Sequence, residues 1–175
     1  MNNLEHLKPL SKLKSSKGIE FVTPMVSPGN HCPMRMAAVI SRDIKGLSTL
    51  LVGMQECTIH SRLFTPYPEG DDGELHWLYL LDSNEVVFGC KKGVMEAIEI
   101  MSLKGIKHLM LIITCVPELI GEDIAGLAIE ASEKYNMKVG FVKLGQFKNV
   151  SFPPGFRKTL EELVKFMDEK DVNKN

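Results

Sequence analysis

The stretch that decides the fold is His108-Leu109-Met110-Leu111-Ile112-Ile113-Thr114-Cys115-Val116-Pro117-Glu118. Its first half is a run of Leu, Met and Ile, the composition of a parallel strand covered on both faces. Cys115 follows at once, and Val116-Pro117-Glu118 opens a helix that runs to about Tyr135. Downstream, residues 138–144 read as another strand and 155–167 as a final amphipathic helix. Upstream, Gly89-Cys90 opens a helix over 91–104, preceded by strands at 75–81 and 85–88, a Pro- and Gly-rich loop at 65–73 and a helix start at 57–64. Before these come a buried strand at 49–54 and a helix at 34–45, with Pro33 in its first turn, where a missing N–H costs nothing. Strand and helix alternate, which predicts an α/β fold: a three-layer, doubly wound, mainly parallel sheet with helices on both faces. Residues 1–18 read as a polar arm, 19–169 as a single domain and 170–175 as a charged tail, with no internal repeat.

Composition agrees with one compact soluble domain. The chain has 175 residues, 44% hydrophobic and 25% charged, with a formal net charge of -1. Disorder requires fewer apolar residues and more net charge, and nucleic-acid binding normally requires a basic excess. Even the apolar run 109–113 is far short of a bilayer span, and the first 18 residues lack the apolar centre of a signal peptide. A cytoplasmic location is therefore expected, where four cysteines remain reduced and free for metal or redox chemistry.

Those cysteines are the most informative residues. Cys57, Cys90 and Cys115 fall where a predicted strand ends and the next helix begins, and Cys32 also falls at a helix start. In an open parallel sheet the carboxyl ends of the strands share one rim, which is where such folds bind ligands. With strands about 4.8 Å apart, thiols on neighbouring connections can reach one small cluster. Helix starts favour thiolate by only ~0.3–1 kcal/mol, so metal coordination must supply the rest. A single cysteine is ordinarily a small buried apolar residue, but four at one kind of position reverse that weighting. They lie 25, 33 and 25 positions apart, unlike the short C-x2-C spacing of zinc knuckles, so the fold must gather them.

Three segments carry a family resemblance: Gly29-Asn30-His31-Cys32, Leu51-Val52-Gly53-Met54-Gln55-Glu56-Cys57, and Ile113-Thr114-Cys115-Val116-Pro117-Glu118-Leu119-Ile120-Gly121-Glu122-Asp123-Ile124. They resemble the first domain of nitrogenase component 1 subunits, a family that includes the molybdenum-iron protein, its cofactor-assembly relatives and the dark-operative protochlorophyllide and chlorophyllide reductases. The 58-position step from Cys57 to Cys115 is similar to that of the β-type subunits. Residues 85–93 and Ser151-Phe152-Pro153-Pro154-Gly155 also resemble family segments, so the likeness covers roughly 23–156.

The resemblance implies that Cys32, Cys57 and Cys115 each contribute a ligand to an iron-sulfur cluster, of 4Fe-4S or 8Fe-7S type, at a subunit interface. Cys90 stands where relatives generally have glycine and is an additional candidate. It further implies a homodimer or a dimer with a related subunit, and an ATP-dependent iron-sulfur reductase as electron donor; composition and run length point to neither nucleic acid nor membrane as partner. Relatives usually have three such domains, of which this chain is expected to supply the first. The leading expectation is thus an electron-transfer protein, an oxidoreductase component of nitrogenase type. The alternative is a non-catalytic scaffold or carrier for cluster assembly, and a metal-free interaction module is the third reading.

Other residues carry less. His31 and His60 lie beside cysteines and could tune or ligate a metal, though bonding to a nearby carbonyl is the commoner role. Arg35 and Arg62 could offset cluster charge, and Glu118, Glu122 and Asp123 read first as helix caps. Ser151 loosely matches a serine that ligates an oxidised cluster in some relatives. There is no G-x-x-x-x-G-K-[ST] loop for ATP and no G-x-G-x-x-G after a strand for a dinucleotide.

Overall fold

The computed structural model describes residues 32–57, 76–146 and 152–167. The expected N-terminal arm, the 65–73 loop, the residues beyond Cys57 in the 57–64 helix, Ser151 and the charged tail lie outside them, as do His31, His60 and Arg62.

The elements in chain order are helix α1 (Pro33–Arg42), strand β1 (Leu47–Gly53), β2 (His76–Leu80), α2 (Ser83–Phe88), α3 (Lys91–Leu103), β3 (His108–Ile113), α4 (Cys115–Leu119), α5 (Ile124–Tyr135), β4 (Lys138–Lys143) and α6 (Phe152–Val164). The four strands form one sheet, ordered β2-β1-β3-β4, and every pairing is parallel. The expected α/β class and doubly wound layering are both present.

The apolar run 109–113 divides between two cores because strand side chains alternate in direction. Leu109, Leu111 and Ile113 pack with Val94, Ile98 and Leu127 beneath α3 and α5. Met110 and Ile112 pack with Met34, Ala37 and Leu163 beneath α1 and α6. All seven residues of β1 are buried as well, so β1 and β3 are the two interior strands by composition and by position. Side chains buried to this degree contribute about 1.5–3 kcal/mol each.

At the β4 edge, side chains occupy backbone groups that a further strand would use. The amides of Lys138 and Leu144 turn toward β3, donating to Lys107 O at 2.7 Å and Ile113 O at 2.9 Å. The alternate amides face outward: Val139 N donates to Ser132 Oγ at 3.2 Å and Phe141 N to Glu162 Oε1 at 3.1 Å.

Two expectations are corrected. Residues 85–88 are not a strand but the end of helix α2. The Asp82 carboxylate accepts from Glu85 N at 2.8 Å while the Glu85 carboxylate accepts from Asp82 N at 3.0 Å. This reciprocal cap starts a helix and overrides the β preference of Val86, Val87 and Phe88. Cys90 therefore follows a helix and caps α3, rather than following a strand. The single helix expected over 116–135 is two, α4 and α5, separated at Gly121, whose φ of 78° turns the chain as few other residues can. Among the described residues no helix is long and apolar enough to cross a membrane.

Candidate functional site

The rim at the carboxyl ends of β1 and β3 is built around a close crossing. The two strands are in register up to Val52 opposite Ile113, and the next residues of the two chains are Gly53 and Thr114. Thr114 ties itself to β1 twice, its amide and its hydroxyl both donating to Val52 O, at 3.1 Å and 2.9 Å. A Cβ on Gly53 would collide with the Thr114 side chain, so glycine lets the two connections meet. Beyond Gly53 the chain is helical from Gln55 to Cys57, two residues earlier than expected, and Cys57 N donates to Met54 O at 3.0 Å. Cys115 begins α4, with Thr114 as its cap residue, and Cys32 is the cap residue of α1. Because α1 lies over β1 and β3, Cys32 is carried to the same rim.

All four cysteines are free thiols. Cys32 and Cys57 are half-buried and pack against the same core layer, the one beneath α1 and α6. Burial pushes the Cys32 thiol above its ordinary range, and any negative charge on the nearby Cys115 or Cys57 sulfur pushes it the same way, while the amides of Met34 and Arg35 favour the thiolate. Burial also raises Cys57, opposed by the Thr114 hydroxyl and the Met54 backbone, with Cys115 again a like charge in range. The Cys115 Sγ accepts a hydrogen bond from Gln146 N at 3.2 Å. Three of the four predicted thiols thus influence one another from three separate connections.

Cys90 lies elsewhere. It is fully buried in the opposite core layer, beneath α3 and α5. Its amide donates to Glu122 Oε2 at 2.5 Å, and its thiol is pushed up to about 12, first by burial and then by the Glu122 carboxylate. Gly89, with φ 95°, makes room for that carboxylate.

The three acidic residues after Cys115 separate into two roles. Asp123 caps its own helix, accepting from Gly126 N at 3.0 Å. Glu118 and Glu122 reach across the rim instead, Glu118 accepting from Gly145 N at 2.5 Å and Glu122 from Cys90 N. Thr114, Gly145 and Gln146 were not singled out from sequence. The one available signal was glycine directly after a strand, the usual mark of a close backbone approach.

Among the described residues, no group of three or more His, Cys, Asp or Glu is placed to hold a single metal ion. Thiols sharing one ion must all lie within a bond of about 2.3 Å of it, whereas the corners of a cluster are held by thiols standing further apart. An all-thiol donor set backed by N–H groups is the chemistry that iron-sulfur clusters use, so the residues present fit such a group. A groove of about 610 Å³ runs by Phe88, Lys91, Glu99, Glu130 and Lys134 and contains no cysteine.

Residues 32–175 match the family model described as nitrogenase component 1 type oxidoreductase. The chain is similar to a solved structure of nitrogenase Cp1 at pH 5, with a TM-score of 0.67 and 21% identity over 83% of this chain and 31% of that one. It is also similar to nitrogenase Cp1 at pH 6.5, with a TM-score of 0.66 and 21% identity over 81% of this chain and 29% of that one. It therefore spans about a third of the length of these structures. A search of curated protein sequences finds no significant match. With a match that begins at Cys32 and takes in Cys57, Cys90 and Cys115, this chain belongs to the nitrogenase component 1 type oxidoreductase family.

Proposed function

We propose that this protein is an iron-sulfur electron-transfer component of nitrogenase type, in which Cys32, Cys57 and Cys115 hold a cluster at a subunit interface. The observation that carries the reading is the convergence of these thiols from three connections onto one half-buried rim. A cluster held there supplies reversible one-electron storage. The chain's own groups do the rest: three thiolates grip iron, and the Gln146 amide donates to one of those sulfurs while the Met34 and Arg35 amides favour the thiolate at another. Hydrogen bonds to sulfur and partial burial then set the potential.

Within this reading Cys90 is a core residue rather than a ligand, since its thiol faces Glu122 in the other layer. A second copy, or a related subunit, completes the coordination across a two-fold axis. An ATP-dependent iron-sulfur reductase supplies the electrons.

The test is anaerobic reconstitution with iron and sulfide, followed by metal analysis and EPR on the wild type and four single Cys→Ser variants. Loss of iron in Cys32→Ser, Cys57→Ser and Cys115→Ser with retention in Cys90→Ser is the expected pattern. A wild type that remains colourless and iron-free refutes it. Rapid release of the cluster to an apo-acceptor, without ATP-dependent reduction by a reductase, identifies a carrier instead.

A further inference from the structure

We infer that Glu118 is a positioning residue: by gripping the Gly145 amide it holds the next amide, that of Gln146, on the Cys115 sulfur. The inference rests on the proposed cluster site and names what controls the hold of one of its ligands. Glu118 stands three residues after Cys115, so the two side chains project from the same side of the first helical turn. β4 makes its last rung to β3 at Leu144 N, 2.9 Å from Ile113 O. Directly beyond that rung Glu118 Oε2 takes Gly145 N at 2.5 Å, and Cys115 Sγ takes Gln146 N at 3.2 Å. Consecutive amides of one loop are thus held by residues three apart on one turn.

Gly145 completes the fit. It is buried, and a Cβ there would collide with the Glu118 carboxylate and lie 3.5 Å from Cys115 Cα. Only a bare backbone lets the loop press against α4 closely enough for both hydrogen bonds. Amides that donate to a ligating sulfur stabilise its more negative, reduced state and orient it.

The experiment compares Glu118→Ala, Glu118→Asp and Glu118→Gln with the wild type. Glu118→Asp keeps the charge but withdraws the carboxylate by one methylene, whereas Glu118→Gln keeps an acceptor oxygen in place without the charge. In the apo-protein, NMR follows the Gln146 amide; its shift and hydrogen exchange should change in Glu118→Ala and Glu118→Asp and be preserved in Glu118→Gln. In the reconstituted protein, loss of iron to a chelator should be about 10–100-fold faster in the first two variants, the usual scale for removing support from a metal ligand, and the midpoint potential should fall. Glu118→Gln should remain near wild type on both measures.

An unmoved Gln146 amide in Glu118→Ala and Glu118→Asp overturns the inference. So does a Glu118→Gln variant that behaves like Glu118→Ala, which would assign the effect to charge. Failure of the wild type to take up iron would remove the cluster, but the apo-protein measurement would still decide whether Glu118 positions the amide.

Discussion

Replacing Gly53 with Ala tests the crossing on which the rim is built. The added methyl would run into the Thr114 hydroxyl and would lie 3.0 Å from Thr114 Cγ2 and 3.1 Å from its Cβ. Neither partner has room to retreat, because Thr114 and Val52 are 2% and 0% exposed and the threonine is tied to Val52 O by two hydrogen bonds. Forcing one methyl into such packing costs about 1–3 kcal/mol. Displacing the Thr114 hydroxyl adds about 0.5–1.5 kcal/mol for its lost hydrogen bond. The overpacking alone lowers the melting temperature of a chain this size by roughly 2–12 °C. Urea denaturation of Gly53→Ala, Thr114→Ala and the double variant is the assay. Trimming Thr114 to Ala removes the hydroxyl and Cγ2, the two nearest obstacles, so the double variant should be more stable than the two single losses predict, by about 1 kcal/mol or more. Additive losses, or a Gly53→Ala midpoint equal to wild type, would show that β1 and β3 do not meet as described.

Two further outcomes are expected. Cys90 is raised from an ordinary 9.0 to about 12 in the folded chain, so folding favours its protonated form. Its contribution is complete below pH 9 and is lost as pH rises toward 12, at a slope of at most ~1.4 kcal/mol per pH unit. The stability difference between wild type and Cys90→Ala should shift by that slope above pH 9 in denaturation curves, and a constant difference up to pH 11 contradicts it. Glu162 is 8% exposed and accepts from Phe141 N while pairing with Lys165. Glu162→Ala should cost about 1–3 kcal/mol through the unpaired amide and promote concentration-dependent association by light scattering, since an open strand edge invites pairing. Glu162→Gln should do neither.

The interior strands were legible because each carries a short apolar run, 50–53 and 109–113, of the length of a buried strand. Cys57 and Cys115 could be assigned to the rim for the same reason: each follows one of those runs within a few residues. Cys90 misled because Val86-Val87-Phe88 has strand composition, while the Asp82-x-x-Glu85 pattern that starts a helix was present and outweighed it. Val87 and Phe88 are 70% and 84% exposed, so their apolar character reports no core at all. The roles of Glu118 and Glu122 were beyond reach for a different reason. Their partners lie 27 and 32 residues away, and only the packed layers bring those amides within 2.5 Å.

The chain across the break at Gly121 has the character of a tie bar. On one side of it Glu118 is fastened to the turn leaving β4; on the other, Glu122 is fastened to the start of α3. Cys115 begins α4, three residues before the first of these anchorages. Residues 118–122 therefore lash the turn after β4 to the start of α3, and this sulfur stands one helical turn ahead of the nearer lashing.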